Sequence, residues 1–214
     1  GPNHDGHDYI ANAIANGAAA IMTSRRRTVG SAPALLVDDT LEGMRGLARH
    51  ARRRGTAKIT AVTGSTGKTG TKDMLELVLG RQAKAYATQG NLNNHWGLPL
   101  SLARLPQSAR FGVLEMGMNS PGEIAPLSDL AEPDVAIVTN VSAAHIEFFD
   151  SEEQVADAKG EIFAGMSTSG TAILNRDNRH FNRLRRHAVD AGVSHIRSFG
   201  THIKANIRLL ESSP

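Results

Sequence analysis

Lys68 and Thr69 close the run Gly64-Ser65-Thr66-Gly67-Lys68-Thr69, directly after the β-prone stretch Ile59-Thr60-Ala61-Val62-Thr63. Residue types in this order suit a phosphate cradle. Glycines let the backbone curl so that its N–H groups face an anion, and a helix starting there adds the positive end of its dipole. Lys68 offers a point charge to phosphate oxygens, and Thr69 a hydroxyl to Mg²⁺. The general motif has its first glycine six residues before the lysine. Val62 holds that place here, so the loop is the compact Gly-x-x-Gly-Lys-Thr. An ordinary strand–helix turn uses the same glycines, and the rest of the chain must decide between the two.

Four further places carry groups able to join such a site. Glu115 follows the apolar pair Val113-Leu114, where a carboxylate can meet Mg²⁺ directly or through water, or simply be a solvated strand-end acid. His145 ends Val138-Thr139-Asn140-Val141-Ser142-Ala143-Ala144-His145, and is either a ligand or an ordinary loop histidine. Lys159 falls with Val155 and Ile162 at i, i+4 and i+7, on a helix face otherwise apolar. Its stem covers the core while the amine reaches water, or burial depresses the amine enough to make it reactive. The segment Gln89-Gly90-Asn91-Leu92-Asn93-Asn94-His95-Trp96-Gly97 reads as a plain turn cluster or as a substrate-reading loop, rich in amide donors and holding the one tryptophan.

The elements that must position these groups alternate in type. Strands are predicted over 58–63, 84–88, 111–116, 134–139, 171–174 and 195–199, the last of them closing the sheet. Helices are predicted over 68–79, 99–105, 121–130, 151–163 and 178–191, with Pro121 in a first turn and a capping box at Asp150 or Ser151 answered by Glu153 or Gln154. Such alternation implies parallel strands covered by helices, whose ligands sit beyond the strands' carboxyl ends. Before it come a short helix at 8–16, strands at 18–22 and 34–37, and a helix from Thr40, as its cap, to about Arg53. A boundary is placed at Gly55-Thr56. The stretch 205–210 looks like a further strand, and both ends read as cuts through a larger protein.

Composition narrows the class. The 214 residues are 40% hydrophobic but only 4% aromatic, so packing relies on Ala, Leu, Ile and Val. Net charge is +3, and the triplets Arg25-Arg26-Arg27 and Arg52-Arg53-Arg54 lack interleaved aromatics, which reads as solvated positions rather than a nucleic-acid surface. With no cysteine there is no disulfide, thiolate metal site or cysteine nucleophile. No apolar run reaches membrane-spanning length, and a cytoplasmic protein is expected.

Taken together, the segments resemble the Mur ligase family, and within it the branch that adds D-alanyl-D-alanine to a UDP-muramoyl tripeptide. The likeness rests on Thr63 to Thr69, Gln89 to Asn94, Glu115-Met116-Gly117-Met118-Asn119, Pro121-Gly122-Glu123-Ile124, Ala158-Lys159-Gly160-Glu161-Ile162-Phe163 and Asn175-Arg176-Asp177-Asn178, in family order from Asp5-Gly6-His7-Asp8 onward. The resemblance implies an α/β fold with a P-loop-type, mostly parallel sheet flanked by helices, preceded by the end of a small α/β domain. Residues 1–56 would belong to the UDP-substrate-binding domain and 57–214 to the central ATP-binding domain, with the C-terminal ligase domain absent. It implies ATP and Mg²⁺ as cofactors, UDP-muramoyl tripeptide and D-alanyl-D-alanine as substrates, an acyl-phosphate intermediate and a monomer. Gly64, Ser65, Thr66, Gly67, Lys68, Thr69 and Gly70 would hold the nucleotide, Lys68 at the β- and γ-phosphates. Thr69 and Glu115 would hold one Mg²⁺ and His145 a second, Lys159 would be carbamylated and ligate metal, and Asn91, Asn93 and Asn94 would lie in a substrate-associated loop. Thr66, Gly70 and Ser120 depart from the family's usual asparagine or serine, hydroxyl or small residue, and histidine.

Overall fold

The computed structural model describes residues 4–25, 32–143 and 149–211. It divides into two compact units, Gly1–Leu47 and Ala48–Pro214. In the first unit a 3-10 turn, Gly6–Tyr9, runs into α1 (Ile10–Ala15), and β1 (Ile21–Thr23) pairs in parallel with β2 (Ala34–Leu36). β1 begins three residues later than the hydrophobic run predicts, because pairing starts where the Ile21 N–H reaches the Pro33 carbonyl at 2.9 Å. α2 (Thr40–Arg54) is capped by Asp39 rather than Thr40: the Asp39 carboxylate accepts the Glu42 N–H at 2.8 Å.

The second unit is a parallel sheet with helical crossovers. In chain order it runs β3 (Lys58–Thr63), α3 (Lys68–Gly80), β4 (Ala85–Ala87), α4 (Gly97–Ala103), β5 (Phe111–Glu115), α5 (Ile124–Ala131), β6 (Val135–Val138), α6 (Glu152–Gly160), β7 (Thr171–Asn175), α7 (Phe181–Asp190), β8 (His195–Gly200) and β9 (Ile207–Arg208). Its seven strands lie in the order β4-β5-β3-β6-β7-β8-β9, every pairing parallel. β8 therefore does not close the sheet; β9 lies outside it.

Alternate residues of the inner strands feed two cores, as the two-residue strand period requires. Ile59, Ala61, Leu114, Ala136, Val138 and Leu174 pack with residues of α4 to α7, while Val62, Val113 and Ile137 face Leu75 and Leu79 of α3. The side to which successive strands are added switches at β3, with β4 and β5 on one side and β6 to β9 on the other. That switch opens a crevice beyond the carboxyl end of β3, the usual ligand position in such sheets.

Two helices differ from the sequence pattern for local reasons. α5 starts at Ile124 and not Pro121, since Gly122 has φ +84° and the N–H groups of Gly122, Ile124 and Ala125 are taken by the Glu161 carboxylate. α6 ends at Gly160 and tightens into a 3-10 turn, Glu161–Phe163. Its capping box is the one the sequence offers: Ser151 Oγ accepts the Gln154 N–H, and Gln154 Oε1 accepts the Asp150 N–H.

Candidate active site

The turn between β3 and α3 requires both of its glycines. Gly64 has φ +152° and Gly67 φ +78°, and a Cβ on Gly64 would sit 1.9 Å from Thr139 Oγ1. The segment after β6 braces this loop. Thr139 Oγ1 donates to the carbonyls of Thr66 at 2.6 Å and Thr63 at 3.2 Å, and the Ser65 N–H donates to the Asn140 carbonyl at 2.8 Å. Ser65 Oγ meanwhile donates to the Ser142 carbonyl and accepts the Ser142 N–H, each at 3.0 Å. The Ser65 hydroxyl is thus spent on loop architecture. Gly67 caps α3 without a side chain, leaving the first-turn N–H groups of that helix, Gly70 among them, directed outward from its positive end. Lys68 folds back over the loop, its Nζ donating to the Gly64 carbonyl at 2.8 Å. Burial lowers its pKa, against the opposing pull of Glu115.

Glu115 ends β5 and is buried at 2% exposure. Its Oε2 accepts from Thr69 Oγ1 at 2.9 Å and its Oε1 from Asn93 Nδ2 at 2.8 Å, while its N–H donates to Thr88 Oγ1. Asn93 is fixed in turn by its carbonyl, which accepts the Gly117 N–H at 2.8 Å. Of the other loop amides, Asn94 Oδ1 accepts the N–H groups of Trp96 and Gly97 at the head of α4, and Asn91 is exposed.

Lys159 is buried at 3% exposure, and among the described residues its Nζ has no hydrogen-bond or carboxylate partner. Desolvation, reinforced by repulsion from Lys68, brings its pKa down to about 7. The face predicted to be apolar is so: Val155 of α6 and Ile162 of the 3-10 turn that follows it are both fully buried. Lys68, Thr69, Glu115 and Lys159 therefore share one neighbourhood, coupled by a hydrogen bond and by charge. His145 lies outside the described residues.

A donor set of one hydroxyl and one carboxylate fits Mg²⁺, which keeps several waters and takes phosphate oxygens beside one or two carboxylates. Among the described residues no group of three or more His, Asp or Glu gathers as a dedicated metal cage. A cavity of about 400 Å³ opens past the loop, lined by Asn140, Asn175, Asn178 and Arg179 among others. Asn178 Nδ2 donates to Asn140 Oδ1 at 2.6 Å and to the Val141 carbonyl at 2.8 Å, tying that cavity to the segment that braces the phosphate loop.

Sequence reasoning did not single out Thr139, Ser142 or Glu161, which shape the site by holding backbone. Single hydroxyls and a carboxylate serving carbonyls and N–H groups leave no spacing signature.

Comparison with known proteins follows the same outline. Residues 62–212 match the Mur ligase middle domain. The UDP-N-acetylmuramoyl-tripeptide--D-alanyl-D-alanine ligase of Rickettsia prowazekii is 37% identical over 209 residues, which cover 97% of this chain and 46% of that protein. MurF from Acinetobacter baumannii superposes with a TM-score of 0.83 at 34% identity, over 94% of this chain and 44% of its own. MurF from Thermotoga maritima, solved in complex with ADP, gives 0.79 at 36% identity, over 94% of this chain and 46% of its own. The chain spans less than half the length of these relatives.

Proposed function

The chain belongs to the Mur ligase family, and on that premise we propose that it serves ATP-dependent amide bond formation, joining D-alanyl-D-alanine to a UDP-N-acetylmuramoyl tripeptide in peptidoglycan precursor synthesis. The observation that supports this best is the convergence of Lys68, Thr69, Glu115 and Lys159, the last without a partner among the described residues, beside a loop built for phosphate. The reading carries with it a monomer acting in the cytoplasm, where ATP is at hand.

In this reading a substrate carboxylate oxygen attacks the γ-phosphorus of ATP, the bond to the β-phosphate oxygen breaks, and acyl phosphate and ADP result. The amine of D-alanyl-D-alanine then attacks the acyl carbon, losing a proton as inorganic phosphate departs. No protein nucleophile is needed; the protein's task is to offset charge and set an in-line approach. The loop N–H groups and the head of α3 bind the phosphates, and Lys68 exchanges the Gly64 carbonyl for a phosphate oxygen. Thr69 and Glu115 would hold Mg²⁺, with His145 at a second ion. Bound there, the metal would neutralise charge on the transferring phosphoryl group. Asn93 orients Glu115 through Oε1, and Asn91 and Asn94 stay with the substrate-side loop. The low pKa of Lys159 leaves much of the amine neutral near pH 7, the form that attacks CO₂ to give a carbamate. A carbamate would turn an uncompensated cation into an acidic ligand for metal.

Since the relatives are more than twice as long, weak Mg-ATP binding and little or no ligation are expected of this chain by itself. Calorimetry with Mg-ATP on the wild type and Lys68→Ala tests the nucleotide half of the reading. A dissociation constant near roughly 1 mM, weakened about tenfold or more in the variant, agrees with it. Absence of any binding to the wild type counts against it. Incubation with Mg-ATP, UDP-muramoyl tripeptide and D-alanyl-D-alanine tests the rest, and full turnover would show that these 214 residues suffice.

A further inference from the structure

A second cleft, of about 410 Å³, lies between α7 and the β8–β9 edge, away from the phosphate loop. Phe181, Arg185 and Val189 recur at i, i+4 and i+8 on the α7 face that lines it, and Arg176, Arg197 and Lys204 complete its rim. Phe181 and Val193 are buried at its floor. No acidic residue is among the described residues that line it.

Of the other basic groups of α7, Arg183 and His187 both engage the Asp157 carboxylate, while Arg186, among the described residues, is not paired. Arg179, just before the helix, engages Glu152. Among the described residues, Arg176, Arg185, Arg197 and Lys204 have no carboxylate partner. Arg176 instead places its Cζ 4.0 Å from the centroid of the Phe181 ring, a cation–π contact. The neutral polar pair in the cleft is also biased toward donation. Asn206 Oδ1 is occupied by the Ser198 N–H and Oγ at 2.9 and 3.0 Å, so what Asn206 has left to offer is its NH₂.

A cleft with four uncompensated cations, a spare amide donor and an aromatic and aliphatic floor fits a particular kind of ligand. We infer that it binds a phosphorylated organic anion, the phosphate meeting the arginine and lysine rim and the apolar portion lying on Phe181 and Val193. Arginine's planar fork suits phosphate oxygens bidentately, and the cleft volume falls in the range of small-molecule sites. The assignment does not depend on the ligase reading, and the cleft shares no lining residue with the cavity beside the phosphate loop. Arg176 nevertheless sits between Asn175, whose Nδ2 donates to the Thr139 carbonyl, and Asp177 in that cavity, so an occupant of the cleft adjoins the nucleotide side.

The test titrates phenyl phosphate and inorganic phosphate into the ¹⁵N-labelled chain at low salt, following the amides of Val193, Ser198 and Lys204. Saturable shifts at these positions are expected, with phenyl phosphate bound about fivefold or more tightly than inorganic phosphate. The double variant Arg185→Glu, Arg197→Glu should weaken phenyl phosphate binding about tenfold or more. A control of equal charge change on exposed residues elsewhere, Arg53→Glu with Arg81→Glu, should change it less than about twofold. Non-saturating shifts, shifts confined to the phosphate loop, or equal losses in both double variants would overturn the assignment. Equal affinity for the two probes would overturn the apolar half of it.

Discussion

An ammonium held out of water without a counter-charge disfavours its protonated form, and Lys159 is in that position, with Lys68 adding repulsion. Its pKa falls from 10.5 to about 7. Between those values the unfolded chain binds the proton and the folded chain does not, so folding stability rises with pH across this window. Below about pH 7 the penalty is present in full, on the order of a few kcal/mol, and above about 10.5 it is gone. Lys159→Met should therefore stabilise the chain by a few kcal/mol at pH 6 and by almost nothing near pH 10.5. Urea unfolding of both forms in CO₂-free buffer at the two pH values measures the difference; a pH-independent gain would mean the amine is not desolvated. Asn93 permits a sharper question. Its side-chain amide holds one oxygen of Glu115 while Thr69 holds the other. If that contact orients a metal-binding carboxylate, Asn93→Ala should weaken Mg-ATP about tenfold and leave metal-free ATP almost unchanged. Unchanged affinity for Mg-ATP would instead assign the Asn93 amide to the substrate.

At the scale of elements, glycines separate positions that tolerate a side chain from positions that cannot. Gly46 lies exposed inside α2 with open space where a Cβ would be, so Gly46→Ala should raise stability by about 0.5–1 kcal/mol through helix propensity. Gly165 follows the 3-10 turn after α6, and a Cβ there would meet the Ser128 carbonyl oxygen at 2.1 Å. Gly165→Ala should cost about 2–4 kcal/mol, since backbone must move. Chemical denaturation of the two variants against wild type reads both signs. The same contrast explains what the sequence could reveal. The strand–helix alternation and the phosphate loop were legible because hydrophobic period and glycine spacing are local properties. The apolar face around Lys159 was legible too, since Val155, Lys159 and Ile162 lie within two turns. The start of α5 was not, because Pro121 signals a first turn while the remote Glu161 carboxylate decides where the helix N–H groups end. β9 was readable as a strand but not as the outer neighbour of β8, which is a matter of pairing between segments. Asn93 was legible as a polar loop residue, whereas its bond to Glu115 joins positions 22 residues apart.

Across the whole molecule, apolar burial is distributed very unevenly. In residues 48–211, β3 and β6 lie inside the sheet, with Ile59, Ala61, Val62, Ala136 and Val138 at 0–1% exposure and helices over both cores. In the first unit the buried core is Ile10 and Ile21 with partly buried alanines around them, and all three residues of β2 are exposed, Leu35 at 49% and Leu36 at 43%. Two buried isoleucines give this unit little apolar burial with which to offset the entropy of ordering its chain. A two-stranded sheet does little to close such a gap. The β1 and β2 amides should therefore exchange with solvent through openings of about 0–2 kcal/mol, while those of β3 and β6 exchange only through global unfolding, at about 5–15 kcal/mol. Native-state hydrogen exchange on this chain reads both sets at once. Protection of Met22 and Thr23 equal to that of Ala61 and Val62 would mean that the first unit shares the cooperative stability of the sheet. Unequal protection would place the rigid part of the molecule beneath the phosphate loop, where positioning a charged reactant within a fraction of an ångström demands it.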